Sequence, residues 1–476
     1  PSELDVESVE LIPGASSALY GPNAFNGILL VNSKNPFEYQ GLSAFVKQGV
    51  NHVGPKADAP ASPLYDAAIR YAKAFNNKFA FKVNAAFMKA EDWHGTDATD
   101  RSIARTPSGF NFNPGADKLH YMGDEAAINL AIFPLSSGWR LFADNQGGSG
   151  STAYNNIFDQ NTHLTALNYA QAGDLPSQVV SVTPYLEKNL ISYNAKNIKA
   201  SAGLFYRLND KMELSYLYNG GFGTSIYTGA QRYSLKNFGI QQHRIQLRGD
   251  NFYVRAYGTF ENSGDSYITE FLAKRINDLA VSSANPVFND VSGYLATYGT
   301  EYLRYLYQSG LQPGEINTLP TDQRTQIQEL AHQFARGVVD NKFILDPNSA
   351  RFQQLKDQAM QGTIPQGPKF SDHTRMYHGE FQYDFKNQVK FMELMTGGSY
   401  RMYDLRSNGT IFDDKTSKVS ITEFGGYVQA GKWLNDRKIK LSGSGRYDKN
   451  LNFKGRFNPR LSVLFKLSEN SNIRVS

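Results

Sequence analysis

The sequence predicts an all-β fold, a transmembrane antiparallel β-barrel, and three observations lead to this prediction. Segments in which apolar and polar residues alternate follow one another in pairs along most of the chain. The connection inside each pair is tight and the connection between pairs is long, as at the two ends of a bacterial outer-membrane barrel. The 476 residues also include 28 Tyr, 31 Phe and 41 Gly, and aromatic residues form the rims of such barrels.

Hydropathy and charge argue against several other classes of protein. Mean hydropathy is −0.46, and the apolar runs, such as residues 28–31, are far shorter than the roughly 20 residues that a spanning helix needs. The net charge of +5 is small for this length and does not indicate nucleic-acid binding. The absence of Cys is compatible with an envelope protein that needs no disulfide.

The chain begins with two short predicted strands joined by a glycine-rich region. Residues 6–12 favour a strand, Pro13-Gly14 and Gly21-Pro22 indicate turns, and residues 28–31 form a second apolar strand. The whole stretch, VESVELIPGASSALYGPNAFNGILLVNSKNP, resembles the end of the plug domain of TonB-dependent outer-membrane receptors. The resemblance implies roles in plug folding and plug–barrel packing for Gly14, Tyr20, Gly21, Pro22, Asn23, Asn26 and Gly27.

The resemblance continues in later segments, among them LHYMGDE at 119–125, PYLEKNLISYN at 184–194 and FNPRLSV at 457–463. It implies a barrel of 22 strands in the complete protein. This chain would be a fragment with the end of the plug in residues 1–37 and about the first thirteen barrel strands in residues 38–476. The rest of the plug, the TonB box and about nine strands would lie outside it.

The resemblance also implies a function, the active import of a ligand across the bacterial outer membrane. The partners would be the TonB–ExbB–ExbD complex, reached through the TonB box, together with the lipids of that membrane. A siderophore, cobalamin, a glycan or a peptide fits equally well as the ligand. Two other classes stay open: a passive porin, and a binding or scaffold protein that works with a surface lipoprotein. No positioned nucleophile or acid–base pair indicates an enzyme, and we expect no cofactor.

From residue 41 the predicted barrel strands follow in order. They pair as 65–75 with 79–87, 204–208 with 212–218, 245–247 with 252–260, 422–433 with 438–448, and 460–467 with 472–476. Residues 379–385 form another strand, and the irregular period of residues 389–406 predicts a β-bulge. The long connections predicted for the outer end are residues 51–63, 92–199, 220–241, 262–372, 407–420 and 449–456.

Two of these connections exceed a hundred residues each, which is unusual unless they serve a function. In 262–372, apolar residues recur at helical spacing from Leu295 to Leu306, ending at Gly310. The same spacing recurs in 327–334, ending near Gly337, and in 352–359. We expect small helices that cover the outer mouth of the barrel.

Aromatic residues in the long connections are the candidate ligand contacts. Their rings combine apolar faces with oriented hydrogen-bonding groups, which suits a sugar, a peptide or a chelate. The alternative is that they pack the loop helices together or belong to the aromatic rim. The candidates are Trp93, His94, Tyr294, Tyr298, Tyr302 and Tyr305.

Charged residues on the polar faces of the strands should point into the barrel, because an unpaired charge facing lipid is costly. We expect most of them to contact the polar surface of the plug: Lys82, Arg207, Arg244, Arg248, Arg255, Lys440 and Arg446. The alternative is that these cations guide an anionic substrate through the barrel. The acidic loop residues Asp97, Asp100, Asp117, Asp124 and Glu125 could bind Ca²⁺, but a solvated loop explains them better, and no metal site is predicted. His373 and His378 show no metal-ligand spacing.

Overall fold

The computed structural model describes residues 2–13, 21, 26–54, 59–103, 109–131, 168–284, 290–468 and 471–475. About half of these residues lie in strands. The strands are β1 Val6–Pro13, β2 Gly27–Ser33, β3 Gly41–Asn51, β4 Ser62–Phe75, β5 Phe79–Glu91, β6 Tyr121–Met122, β7 Ala127–Asn129, β8 Val179–Ser181, β9 Tyr185–Leu186, β10 Asn194–Asn209, β11 Met212–Thr228, β12 Arg232–Arg248, β13 Phe252–Asn262, β14 Tyr267–Ile268, β15 Arg375–Asp384, β16 Glu393–Leu405, β17 Val419–Leu434, β18 Ile439–Asn450, β19 Phe453–Ser468 and β20 Ser471–Val475. The helices with assigned bounds are α1 Thr269–Ala284, α2 Ser292–Gln308, α3 Thr321–Phe343 and α4 Ala350–Ala359.

One large antiparallel sheet dominates the fold. Its strands run in the order β3, β4, β5, β10, β11, β12, β13, β15, β16, β17, β18, β19 and β20, and the short β14 pairs with β12 beside this path. Each strand therefore pairs with its neighbour along the chain, apart from the short strands in the two longest connections. This confirms the predicted succession of about thirteen antiparallel strands.

The two faces of the sheet have the polarity of a membrane protein rather than of a soluble one. On β4 and β5 the charged Arg70 and Lys82 are 2% and 3% exposed, whereas Ile69 and Val83 are 49% and 45% exposed. The exposed residues form rows across the sheet, such as Leu204, Tyr216 and Ile245, which are register partners on three strands. An outward apolar face and an inward polar face are what lipid on one side and a polar interior on the other require.

None of the helices within the described residues is both long and apolar enough to span a membrane.

Tight turns lie where the alternation pattern predicts them. Asn76 and Asn77, two of the three residues between β4 and β5, have φ of 47° and 53°, left-handed values that occur in hairpin turns and that Asn tolerates. Asn435 and Asp436 adopt the same conformation between β17 and β18. The predicted alternation of short and long connections holds along the rest of the large sheet, with two exceptions.

Two of the predicted long connections are wrong. Within 220–241, β11 and β12 continue as a ribbon to Thr228 and Arg232, so that only three residues form the turn. The glycines and a register shift between Gly223 and Ser225 interrupt the alternation and hide these strands in the sequence. Within 449–456, β18 and β19 extend until only residues 451–452 separate them.

The predicted bulge in residues 389–406 is also absent from the described pairing. The strand β16 begins only at Glu393 and pairs with β15 and β17 without a register shift. A 3-10 turn, Phe385–Asn387, and the residues after it precede the strand. Residues 389–392 therefore lie before the strand and are not part of its alternation.

The two longest connections fold together into a unit that we call the cap, formed by the described residues of 92–193 and 263–374. The helices α2 and α4 confirm the predicted helical spacing, whereas α3 runs through Gly337 to Phe343, beyond the predicted end. The helix α1 was not predicted. Two buried apolar clusters hold the cap together, one centred on α2 and α3 and the other on α1 and α4.

The first two strands form a separate sheet. β1 pairs with β2 in antiparallel register, with Val9 opposite Val31 and Leu11 opposite Leu29. Gly27 opens β2 with a φ of 146°, in a region of backbone conformation that favours glycine. This hairpin lies against the polar face of the large sheet through the contacts described next.

Candidate functional site

The hairpin is attached to the large sheet by a buried group that we call the Asp5 triad, formed by Asp5, Arg70 and Lys82. The Asp5 carboxylate accepts hydrogen bonds from Arg70 Nε and Lys82 Nζ, both at 2.8 Å. All three side chains are almost fully buried. Lys82 also donates to the main-chain oxygen of Lys34 at 3.0 Å. The triad therefore joins both ends of the hairpin to β4 and β5.

Smaller contacts accompany the triad. The hydroxyl of Ser2 donates to Asn84 Oδ1 at 2.8 Å, in the same buried row of β5 as Lys82. Farther along, the guanidinium of Arg207 stacks on the ring of Phe37, 3.9 Å from its centroid. Gly21 is buried against Arg446, and a Cβ at position 21 would lie 3.3 Å from the Nη2 atom of that arginine.

Two of the predicted inward cations, Lys82 and Arg207, thus contact the N-terminal segment, and Arg446 lies beside Gly21. Others find partners on the sheet itself. Arg255 pairs with Glu380 on the neighbouring strand, and Lys440 pairs with Glu393 at 2.7 Å. Arg244 Nε is buried without a hydrogen-bond partner among the described atoms. For Arg255 and Lys440, contact with the plug stays a prediction.

A chain of polar groups crosses four strands on the same face, and we call it the wall network. Arg255 binds Glu380, whose second oxygen lies 3.2 Å from His378 Nε2. Arg401 Nε donates to His378 Nδ1 at 3.1 Å, and its Nη1 donates to Glu423 at 2.8 Å. The partners of His378 were not predicted, although Glu380, two residues later on the same strand, shares its face.

The wall network borders a cavity of about 820 Å³ on the polar face of the sheet. Tyr253, Tyr257 and Tyr427 line it beside Arg446 and Asp448. Arg446 Nε donates to Asp448 at 2.8 Å. Aromatic walls with alternating charges can hold a polar ligand or a polar protein surface by oriented hydrogen bonds.

The plug-motif residues are only partly described. Gly21, Asn26 and Gly27 are described, and Gly21 has a φ of 90°, which favours glycine. Gly14, Tyr20, Pro22 and Asn23 lie outside the described residues. The roles assigned to them by resemblance stay predictions.

Three of the candidate ligand residues lie inside the cap instead of on its surface. Tyr294, Tyr298 and Tyr302 are fully buried in the cluster of α2 and α3, and Tyr305 packs on Phe334 with ring centroids 5.6 Å apart. Their helical spacing is the spacing of a core, so the packing alternative describes them. With protein covering Tyr294, Tyr298 and Tyr302, these rings cannot contact a ligand in this conformation.

Trp93 and His94 lie at the outer end of β5. Trp93 is 53% exposed, with its ring 5.1 Å from that of His120 and 5.6 Å from the guanidinium carbon of Arg232. Arg232 is held by the buried carboxylate of Glu187 at 2.9 Å. Trp93 therefore presents an accessible aromatic surface on a fixed base and stays a candidate ligand contact.

An ion network fixes the cap. Arg336 of α3 donates to the main-chain oxygens of Pro114 and Ser181, both at 2.7 Å, and to the Tyr294 hydroxyl at 2.8 Å. The Tyr294 hydroxyl in turn donates to Asp340 at 2.6 Å. One side chain therefore connects the second long connection to two separate parts of the first.

Burial shifts the ionisation of several cap residues. It raises the pKa of Asp124 to about 7 and that of Glu125 to about 8, so both carboxyl groups hold protons more tightly than usual. Burial, together with the positive charge of nearby Arg336, lowers the pKa of His332 to about 3. Asp97 and Asp100 accept hydrogen bonds in local turns, from Thr99 and Ser102, whereas Asp117 pairs with Arg101.

Comparison with protein-family models and with curated proteins finds no match for this chain. Comparison with solved structures finds receptors and a transporter. The chain resembles the siderophore receptor PirA from Pseudomonas aeruginosa, with 9% identity, a TM-score of 0.45, and coverage of 98% of this chain and 47% of that one.

Two further structures are similar to the same degree. A mutant of the ferric enterobactin receptor PfeA from Pseudomonas aeruginosa has 12% identity and a TM-score of 0.47, over 99% of this chain and 48% of that one. The FrpB iron transporter from Neisseria meningitidis has 10% identity and a TM-score of 0.44, over 98% and 52%. The chain spans about half the length of these proteins.

Proposed function

We propose that the chain is part of a TonB-dependent receptor that imports a ligand across the bacterial outer membrane. Residues 1–37 would be the end of its plug, and residues 38–476 the first part of its barrel. The observation that supports this best is the reversed polarity of the sheet, with buried Arg70 and Lys82 behind exposed Ile69 and Val83. A soluble sheet of this size would place these residues the other way round.

The Asp5 triad supports the plug assignment. The N-terminal segment lies on the polar face of the sheet, and a carboxylate at one end of it is buried between two cations. Such a segment is suited to filling the interior of a barrel. Separating the charges of such a buried group is strongly destabilising, so the contact favours one arrangement of the segment on the sheet. A plug that moves during transport has to exchange such contacts for others, and energy supplied from the inner membrane through TonB would drive this exchange.

The cap supports a role in ligand capture. Two connections of about a hundred residues each fold into one unit with its own buried core, as long loops with a function do. Among the described residues, exposed Trp93 and the cavity beside the wall network are two surfaces that a ligand could meet. The ligand class stays open among siderophores, cobalamin, glycans and peptides.

The test is uptake by whole cells that carry the full-length gene or lack it. Ferric siderophores, cobalamin, maltodextrins and peptides, each labelled, would form the panel. We expect uptake of one class that disappears both when the gene is deleted and when TonB is deleted. Uptake that persists without TonB would instead indicate a porin.

A scaffold role gives a different outcome. A protein that works with a surface lipoprotein would copurify with it in a one-to-one ratio, and deletion of the lipoprotein would abolish uptake. Import that needs TonB but no second surface protein would match the proposal. Absence of any TonB-dependent uptake from the panel, with the protein present in the outer membrane, would contradict it.

A further inference from the structure

We propose that His52, Glu91 and His94 form a binding site for a divalent transition metal of the zinc class. The ligating atoms of these three residues all lie within 4.8 Å of one another. His52 follows the last residue of β3, Glu91 is the last residue of β5, and His94 lies three residues beyond it. Two imidazoles and one carboxylate are a common protein donor set for Zn²⁺.

An unsatisfied nitrogen marks the site. His52 Nε2 is buried and has no hydrogen-bond partner among the described atoms. A buried polar atom without a partner costs free energy, so structures retain such atoms where another interaction satisfies them. Across the site, His94 Nε2 lies 2.8 Å from Glu91 Oε1, which shows that these two groups already converge.

The three residues are held in place by their surroundings. Asn51 Nδ2 donates to the main-chain oxygen of Glu91 at 2.9 Å and so fixes the end of β3 against the end of β5. The His94 ring stacks on Tyr193 with centroids 3.8 Å apart and planes at 18°. The Tyr193 hydroxyl donates to the buried Glu187 at 2.9 Å. These contacts limit the freedom that metal binding would otherwise have to remove.

The backbone of His52 is a further sign of a functional position. Its φ is 56°, in the left-handed region that residues other than glycine seldom adopt. This conformation turns the chain directly after β3, and the His52 ring lies 5.3 Å from that of His94. Unusual backbone conformations that persist in proteins cluster at sites where they position a side chain.

The donor set leaves room for a further ligand. Three protein ligands leave a fourth position of a tetrahedral Zn²⁺ for water or for a donor atom of another molecule. The Glu91 side chain is 31% exposed, so solvent reaches the site. A bound ion would join the start of the β3–β4 connection to the end of β5, directly beside exposed Trp93.

The experiment is a calorimetric titration, in which Zn²⁺ is added to the purified, metal-free full-length protein in detergent. We expect one Zn²⁺ per chain at this site. His52→Ala and His94→Ala should each weaken binding at least about tenfold, because the loss of groups that only support a ligand already has effects of this size. His373→Ala is the matched control and should leave the affinity unchanged, since His373 lies on the connection before β15, away from the cluster.

A measurement on the unmodified protein guards against variants that fail to fold. X-ray absorption at the zinc edge should show two imidazole ligands and one carboxylate at about 2.0–2.2 Å. A spectrum without imidazole ligands would overturn the proposal, as would equal affinity in His52→Ala, His94→Ala and the unmodified protein. Metal binding is independent of TonB, so its failure would leave the proposed transport function unaffected.

Discussion

At the scale of single residues, Asp5 decides how the N-terminal hairpin is held. Its carboxylate is the shared acceptor of Arg70 and Lys82, and it is 2% exposed. Asp5→Asn removes the negative charge and leaves two buried cations facing an amide. We expect a loss of about 3–5 kcal/mol in the free energy that holds the hairpin on the sheet, the usual effect of breaking a buried ion pair.

Hydrogen exchange of the β1 and β2 amides measures this loss. The matched control is Glu3→Gln, which removes an exposed carboxylate that pairs with Lys47 at 2.6 Å. An exposed pair of this kind contributes little, so exchange should not change. Equal protection of β1 and β2 in Asp5→Asn and in the unmodified protein would show that the triad does not hold the hairpin.

His332 makes the stability of the cap depend on pH. It is fully buried, the Tyr298 hydroxyl lies 2.9 Å from its Nδ1, and burial lowers its pKa to about 3. In the unfolded chain the pKa is about 6.5, so the unfolded state takes up a proton first as the pH falls. Stability from this residue is complete above pH about 6.5 and decreases towards pH about 3, by up to about 1.4 kcal/mol per pH unit.

The measurement compares the unmodified protein with His332→Gln by hydrogen exchange of α2 and α3 at several pH values, corrected for intrinsic exchange rates. The variant is less stable at pH 7 because it loses packing, but it should lose less stability between pH 6.5 and 4. Asp124 and Glu125, with raised pKa values, act in the opposite direction in both proteins. Parallel pH curves for the two proteins would contradict this assignment.

At the scale of elements, α3 organises the cap through Arg336. Its guanidinium bonds two main-chain oxygens of the first long connection and a hydroxyl of α2. Arg336→Met keeps much of the apolar stem but leaves these acceptors and Asp340 without their buried cation. We expect the cap to open locally while the large sheet stays folded.

Limited proteolysis of the protein in detergent tests this expectation. Arg336→Met should be cleaved within 168–190 and between α2 and α3 far faster than the unmodified protein. Arg324→Met, the same change on the first turns of α3 where the side chain is only half-buried, should be cleaved at the unmodified rate. If both variants resist the protease equally, Arg336 is not the anchor of the cap.

The elements also show where sequence patterns succeed and fail. The turn at Asn76-Asn77 and the helix α2 follow from local chemistry, left-handed Asn and apolar residues at helical spacing, and both were predicted. The ribbon of β11 and β12 was missed because a glycine-rich stretch with a bulge carries no alternation. Asp5 gave no signal, since its partners lie 65 and 77 residues away and only the folded sheet brings them together.

The candidate ligand residues also differ in how far the sequence predicts their environment. Trp93 is a candidate because it ends an alternating strand, and it is exposed there, but its contact with a ligand stays a prediction. Tyr298 and Tyr302 were candidates because aromatic residues bind ligands, but their spacing also fits a core, and they are buried. A sequence gives the spacing of aromatic residues, whereas their burial depends on the helix packed against them.

At the scale of the whole molecule, the arrangement consists of a membrane-type sheet, a hairpin on its polar face and a folded cap. If the chain belongs to an importer as proposed, we expect the hairpin to leave or shift along the polar face during transport. Ser2 and Asn84 are in direct contact, with Ser2 Oγ 2.8 Å from Asn84 Oδ1. The chain contains no Cys, so a pair introduced at these two positions can form a disulfide without competition from it.

The double variant Ser2→Cys/Asn84→Cys tests this movement. Oxidised, it joins the hairpin to β5, and we expect TonB-dependent uptake to stop and a reductant to restore it. Each single Cys variant controls for the loss of the hydrogen bond and should transport under both conditions. Full uptake by a completely cross-linked protein would mean that this end of the hairpin stays on the sheet throughout transport, and that any path for the ligand opens elsewhere on the polar face.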